Sequence, residues 1–441
     1  MVGSPLRANP HDREILRLAV PAFGALVAEP LFLLTDSAII GHLGTAQLGG
    51  LGVAGQALAT LVYLCVFLAY GTTAGVARQM GAGDLKAAIR QGVDGMWLAV
   101  AIGAVLIVAG WPLVPWLVDM FGSSPSVDVY AQTYLKVSLL GIPGMLLVLA
   151  GTGVLRGLQD TRTPLLVSVG GFGANLVLNV VFVLVLDWGI AGSAWGTVIA
   201  QNAMAAVYVA MVLRAARRHG APVRPDLAGV RTAATAGAHL LLRTAALRVV
   251  LIVGTSIAAR MGDPEIAAYQ VGFQIWNLLV FALDAIAIAG QAITGRYLGA
   301  ADVRGTRAAT RRMIQWGIAS GIVFGVGILV VRPWLPDLFT ADDQVRSLLL
   351  GSLILVALLQ PVAGVVFVLD GILIGAGDGP YLAITSLIAT LVFLPAALLA
   401  YGTGAGLLGL WLAIGVWMVA RLITLGHRAR GEAWLVTGAT R

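Results

Sequence analysis

The sequence predicts an all-α polytopic membrane protein, with twelve transmembrane helices in two six-helix lobes related by a pseudo-two-fold axis along the membrane normal. Composition, the spacing of apolar runs and an internal repeat predict it. Of 441 residues, 59% are Ala, Val, Ile, Leu, Met, Phe, Trp, Tyr or Cys and only 11% are charged. Soluble domains carry roughly 25% charged residues, and a water-soluble globule leaves too many side chains partly exposed to hide this much apolar surface. Continuous runs such as Ile102–Val108 and Ile322–Val331 point to helices, because a transmembrane barrel alternates over segments of about 10 residues.

A membrane-crossing helix needs about 20 apolar residues. Runs between polar breaks place spans at 15–40, 51–77, 93–118, 130–155, 164–186, 189–213, 233–258, 267–294, 313–331, 346–375, 380–402 and 406–426. The 56 glycines suit close helix approach in a bilayer. With the N-terminus in the cytoplasm, 22 of the 28 Lys and Arg fall in cytoplasmic segments, Arg421 being counted with the C-terminal tail. Four fall outside, and Arg243 and Arg248 lie within span 7. This positive-inside asymmetry predicts a bacterial-type cytoplasmic membrane protein with both termini cytoplasmic. It also assigns the net charge of +7 to topology, so no nucleic-acid partner is expected. The N-terminal stretch has no short apolar run before a cleavage site, so no removable leader is expected. Cys65 is the only cysteine, which excludes a disulfide framework.

The two halves match at a constant offset of 218 residues without a gap. Gly44 pairs with Gly262, Gln56 with Gln274, Arg78 with Arg296, Asp84 with Asp302, Pro143 with Pro361 and Asp160 with Asp378. Six spans per repeat is an even number, so both halves keep one orientation in the bilayer. The predicted organisation is an N-terminal lobe over 1–213, a cytoplasmic basic linker over 214–232, a C-terminal lobe over 233–430 and a cytoplasmic tail over 431–441. A duplicated bundle of this kind suits alternating access, whereas a simple channel does not require it.

Ionisable residues inside spans are costly and mark functional positions. Asp36 lies in the outer half of span 1, after Glu29 and the candidate hinges Pro21 and Pro30, which remove helix hydrogen bonds. A carboxylic acid in apolar surroundings can take up and release a proton near neutral pH, and its oxygens also suit Na⁺; the plainer alternative is a carboxyl that only ties helices together. Asn175 and Asn179 share one face of span 5, and Thr197 and Gln201 one face of span 6. They form either a network around Asp36 or ordinary helix-to-helix bonds. In the second half the offset puts Gly254 where Asp36 stands, and the acids are Asp284 in span 8 and Asp370 near the inner end of span 10. Two arrangements are open there: Arg248 pairs with Asp284, or Arg243 snorkels to the cytoplasm and Arg248 bonds to carbonyls. Gln56, Gln274, Glu29, Gln201, Arg248, Asp284 and Asp370 make a secondary polar set for a substrate cleft, with Trp276 a candidate for its wall. The Gly-rich stretch at 371–379 lacks a Gly-Lys-Ser/Thr ending, so no ATP is expected; no histidine cluster has metal-ligand spacing, and no catalytic residue, metal or cofactor is expected.

The span-1 stretch Asp36-Ser37-Ala38-Ile39-Ile40-Gly41-His42-Leu43-Gly44, within twelve spans in two parallel halves, resembles the MATE (multidrug and toxic compound extrusion) transporters. Leu242-Arg243-Thr244, Leu283-Asp284-Ala285-Ile286-Ala287 leading to Gly295, and Asp370-Gly371-Ile372-Leu373-Ile374-Gly375 are similar to its DinF branch. The likeness runs over about residues 12–428. It implies a monomeric, cation-coupled antiporter that exports drugs or other organic, often cationic compounds. The family's N-lobe site is an Asp on span 1 with an Asn, an Asp and a Thr on spans 5 and 6, positions that fall here on Asp36, Asn175, Asn179 and Thr197. Asn179 stands where several members have Asp; with one carboxylate fewer the site suits Na⁺ less, and H⁺ carried by Asp36 is the expected coupling ion. The alternative function is a lipid-linked or metabolite exporter or flippase of the related superfamily. Such a protein would show a strongly basic cleft, where the only bases read inside the membrane are Arg243 and Arg248. A membrane enzyme would need a reactive cluster, and a facilitator-superfamily carrier a Gly-x-x-x-Asp-Arg loop where this chain reads Gly81-Ala82-Gly83-Asp84-Leu85-Lys86.

Overall fold

The structure is a computed structural model describing residues 10–440; most of the N-terminal stretch in which no leader is expected lies outside the described residues. Fourteen α-helices follow in order: α1 (Pro10–Gly41), α2 (Thr45–Leu64), α3 (Phe67–Gly81), α4 (Leu85–Asp119), α5 (Pro125–Leu139), α6 (Ile142–Gly157), α7 (Arg162–Asn179), α8 (Gly189–His219), α9 (Leu227–Met261), α10 (Asp263–Gly299), α11 (Val303–Val331), α12 (Asp343–Gly375), α13 (Gly379–Gly402) and α14 (Gly406–Arg430). Eleven helical stretches among the described residues are long and apolar enough to cross a membrane, with α2 and α3 together as one; α5 and α6, bent by 52°, make a twelfth. The protein is an all-helical, multi-pass membrane protein.

The helices outrun the apolar stretches that predict them. The segment 214–232 is mostly helical, since α8 continues to His219 and α9 starts at Leu227. Arg78 and Arg156, which the apolar runs leave to loops, and Arg421, counted with the tail though it falls in the last run, belong to α3, α6 and α14 and are buried. The backbone ladder is indifferent to where a charge falls, and an arginine's aliphatic stem packs readily on an apolar neighbour.

The repeat has the same geometry in both halves. Gly44 (φ 139, ψ 166) and Gly262 (φ 150, ψ 169) open α2 and α10 in a conformation that disfavours any side chain. Asp84 and Asp302 cap α4 and α11, each accepting from the backbone N–H three residues on. The halves differ at the paired prolines. Around Pro143 the chain breaks into α5 and α6, whereas α12 runs straight through Pro361. Proline leaves the carbonyl four residues earlier without its helical donor. In α12 that carbonyl, on Ala357, lies against Gly325 of α11, where an added Cβ would sit 2.6 Å from it. Ile107 occupies the equivalent position of α4, where no glycine makes room for the freed carbonyl.

Contacts divide the chain into two units, one of residues 24–237 with Thr440 and one of residues up to 23 with 238–439. In the first, α8 packs on α5, α6 and α7, while α3 packs on α4 and α6. In the second, α12 is central, packed on α10, α11 and α14. The opening turns of α1 belong to the second unit, where Asp12 accepts from Arg312 at 2.5 Å and from Trp316 at 2.8 Å. The opening turn of α9 belongs to the first, where Asp226 pairs with Arg90 at 2.5 Å and its backbone N–H donates to Asp94 at 3.2 Å.

Candidate functional site

Four helices of the first unit converge on one buried carboxylate. α1 supplies Asp36, α5 Tyr134, α7 Asn175 and Asn179, and α8 Ser193 and Thr197, all between 0 and 4% exposed. The Asn179 amide donates to Asp36 Oδ1 at 2.6 Å and to Asn175 Oδ1 at 2.7 Å. Ser193 Oγ donates to the same Asp36 oxygen at 2.9 Å, and the Asn175 amide donates to Thr197 Oγ1 at 3.1 Å. The Tyr134 hydroxyl adjoins Ser138, Ser193 and Thr197. The result is a chain of neutral amides and hydroxyls ending on one carboxylate, with no lysine or arginine paired to it among the described residues.

Local backbone geometry places these groups. Asn179 is the last residue of α7, after which the helix widens into a π turn over Val180–Val185, with Leu186 N–H donating five residues back to Val181 at 2.9 Å. Such widened turns recur at functional positions. The turn is tucked against α8 at Gly192, where an added Cβ would stand 2.9 Å from the Phe182 backbone, and Ser193 follows directly. One acceptor is left over, because Asn179 Oδ1 is buried without a hydrogen-bond partner.

The second half fills the equivalent space differently. The offset of 218 turns Asp36, Asn175, Asn179, Ser193 and Thr197 into Gly254, Phe393, Ala397, Trp411 and Gly415. Phe393 and Trp411 are fully buried, and the rings of Tyr269 and Trp276 lie 6.0 and 6.3 Å from that of Trp411. Trp276, a candidate for a cleft wall, belongs to this packed aromatic group at 5% exposure.

The second unit has its own polar centre, built from other positions. Arg243 of α9 donates to both oxygens of Asp370 on α12, through Nη2 and through Nε at 3.2 Å. Arg421 of α14 approaches Asp370 Oδ2 at 3.4 Å and lies over the rings of Trp417 and Phe367 at 5.2 and 5.7 Å. Snorkelling of Arg243 to the cytoplasm is therefore overturned, since a partner inside the unit satisfies it where it stands. Arg421 is a further base within the spans, beyond the two read from the apolar runs.

The rest of the predicted set does not join the Asp36 cluster. Glu29, Gln56 and Gln274 are exposed, while Gln201, Arg248 and Asp284 are half-buried. Pro21 and Pro30 lie in α1, which is one helix from Pro10 to Gly41. Sequence reasoning missed three residues. Ser193 could have been found, four positions before Thr197 on the same helical face. Tyr134 and Arg421 carry no comparable spacing signal.

The MatE family model matches the chain twice, over residues 21–181 and 240–399, once in each half. Among characterised proteins the chain is 30% identical to the DNA damage-inducible protein F of Escherichia coli, over 94% of this chain and 91% of that one. It is also 30% identical to Protein DETOXIFICATION 44, chloroplastic, of Arabidopsis thaliana, over 93% of this chain and 80% of that one. A crystal structure of a MATE protein in the bent conformation superposes with a TM-score of 0.88 at 22% identity, covering 97% of this chain and 96% of the other.

Proposed function

This chain belongs to the MatE family of transporters, and on that premise we propose that it is a proton-coupled antiporter exporting organic, often cationic compounds by alternating access. In this reading it works as a monomer in the cytoplasmic membrane with both termini in the cytoplasm, without ATP. One observation carries the coupling. Asp36 is a buried carboxylate bonded only to neutral donors, Asn179 and Ser193, whereas Asp370 already has guanidinium partners. A proton arriving at Asp36 cancels its charge without stranding a buried cation.

The neighbouring amides register that proton. With Asp36 ionised, the chain runs from Asn175 to Thr197 at one end and from Asn179 to Asn175 and Asp36 at the other. With Asp36 protonated, its O–H has to donate; turning both amides over lets Asn179 Oδ1 receive from Asp36 and Asn175, while Thr197 donates to Asn175 Oδ1. Amides and hydroxyls support both directions, and members of such chains polarise one another. Bending of α1 at Pro21 or Pro30 then reports the change of charge along the helix. Transport is coupled because proton and substrate bind the two states with different affinity.

Na⁺ is the second reading, favoured by the unpartnered Asn179 Oδ1, an oxygen a hard cation would accept. Proteoliposomes with an imposed proton gradient and an internal pH dye separate the readings. Ethidium or a fluoroquinolone is added to wild type and to Asp36→Asn, with and without Na⁺. The expected result is substrate-triggered proton movement in wild type, indifferent to Na⁺ and lost in the variant. Release only with Na⁺ reassigns the ion, and silence towards every drug moves the substrate class to lipid-linked compounds or metabolites.

A further inference from the structure

The second unit contains a cavity of about 710 Å³ bounded by α11, α12 and α14. Its basic rim is Arg307 and Arg311 from the opening of α11 and His427 and Arg430 from the last turn of α14. Its apolar wall includes Leu369, Leu422 and Ile423. Arg307 is paired at the rim with the exposed Glu432 at 2.6 Å. Arg311 and Arg430 are exposed and have no hydrogen-bond or ion-pair partner among the described residues. Thr310 also lines the cavity; it is 6% exposed, and its hydroxyl is buried without a partner. Four basic side chains, an unused hydroxyl and an apolar wall thus share one opening at the ends of membrane-crossing helices.

The first half shows that this space is particular to the second. At the offset of 218, Arg307, Arg311, Gly426 and Arg430 become Ile89, Val93, Tyr208 and Val212. Tyr208 is fully buried and lies against Gly151, the counterpart of Leu369, so close that a Cβ there would stand 2.6 Å from its ring. Ile89 packs with Ala216 and Ala221 in an apolar cluster. The place that is filled with hydrocarbon in one half is therefore open and basic in the other.

We propose that this cavity binds an anionic phospholipid. Arg311, Arg430 and His427 take the phosphodiester, Thr310 donates to one of its oxygens, and the acyl chains lie along Leu369, Leu422 and Ile423. Basic pockets between helices at the cytoplasmic membrane face suit such headgroups, and guanidinium matches phosphate geometry. The site is independent of the transport reading, because it needs only a membrane-embedded chain.

The test is native mass spectrometry of the full chain in detergent, titrated with phosphatidylglycerol and, separately, with phosphatidylcholine. Each arginine near an anionic lipid contributes a factor of about five in affinity. R311Q/R430Q is expected to weaken phosphatidylglycerol binding roughly 30-fold and leave phosphatidylcholine binding unchanged. G426Y, which copies the first half and meets open space at its Cβ, keeps every charge and is expected to abolish the preference. T310V is expected to weaken it about tenfold. Unchanged binding in G426Y and R311Q/R430Q overturns the proposal. So does an equal loss in R217Q/R218Q, altered at the end of α8 outside the cavity, since general surface charge would then explain the effect. Displacement by inorganic phosphate as effective as by the lipid also overturns it, in favour of a free-anion site. A thermal midpoint within a few degrees of wild type identifies the folded variants, and G426Y decides the matter if the arginine pair proves unstable.

Discussion

From the last residue of α7, Asn179 donates one side-chain amide to two oxygens, Asp36 Oδ1 at 2.6 Å and Asn175 Oδ1 at 2.7 Å. A carboxylate at this position could not donate, and would stand as a second negative charge beside Asp36. Two carboxylates in one buried site do not both ionise without a cation or a shared proton. Asn179→Asp is therefore expected to make drug-driven transport Na⁺-stimulated by at least severalfold, where wild type is indifferent. Measuring substrate flux in proteoliposomes across a Na⁺ series checks this; a flat response in the variant would mean that carboxylate number does not select the ion.

Removing the donor altogether has a different signature. Asn179→Leu deletes both hydrogen bonds and leaves Asp36 with Ser193 as its bonded donor. A hydrogen bond to a charged group is worth about 1.5–3 kcal/mol. Transport is expected to fall at least tenfold while the protein stays folded, as judged by its elution from a sizing column. Flux at the wild-type rate would remove Asn179 from the coupling network.

The ion centre of the second unit should behave as a stability element. Arg243→Met leaves Asp370 with Arg421 alone, at 3.4 Å, and breaking a buried pair costs about 3–5 kcal/mol. The thermal midpoint in detergent should drop clearly. Arg243→Met/Asp370→Leu/Arg421→Leu, which removes all the buried charge of this centre, should recover most of that loss. A triple variant less stable than the single one would show that the centre is more than a charge pair held in hydrocarbon.

Close packing of α11 on α12 makes a further prediction. A Cβ on Gly317 would stand 2.5 Å from the Gly364 carbonyl oxygen, and one on Gly364 would lie closer still to that of Gly317. Backbone atoms cannot step aside as a flexible side chain can, so Gly364→Ala should destabilise by about 1–3 kcal/mol or more. Gly327, on α11 with Gly317 but with open space around its Cβ, should tolerate Ala or gain up to about 1 kcal/mol from helix propensity. Thermal denaturation of the two variants side by side tests the contrast.

Restoring an acid by symmetry should fail. Gly254→Asp copies Asp36 into the second half, but its Cβ would stand 2.6 Å from the hydroxyl of Tyr269, a buried ring packed beside Trp411. The variant should lose stability and should release no additional proton per substrate. A second proton in a dye-based stoichiometry measurement would contradict this account of the aromatic core.

The sequence by itself determined the membrane class, the order of the spans, the repeat and the polar faces of α7 and α8. These follow from local physics: apolar run length, the 3.6-residue helical period, and glycine and aspartate at helix ends. Even Asn175, Asn179 and Thr197 were legible as one network, because each lies a single turn from another polar residue on its own helix or fits the family pattern. Tertiary structure alone decided that Ser193 and Tyr134 join Asp36, and that Arg243 takes Asp370 with Arg421 beside it. It also decided that the cavity by Thr310 is open in one half and filled in the other. Periodicity shows which face of a helix is polar, but not which helix that face meets. That choice is made by side-chain volume between helices far apart in the chain, from 51 residues for Arg421 and Asp370 to 157 for Ser193 and Asp36, where a glycine stands in one half and a tyrosine in the other.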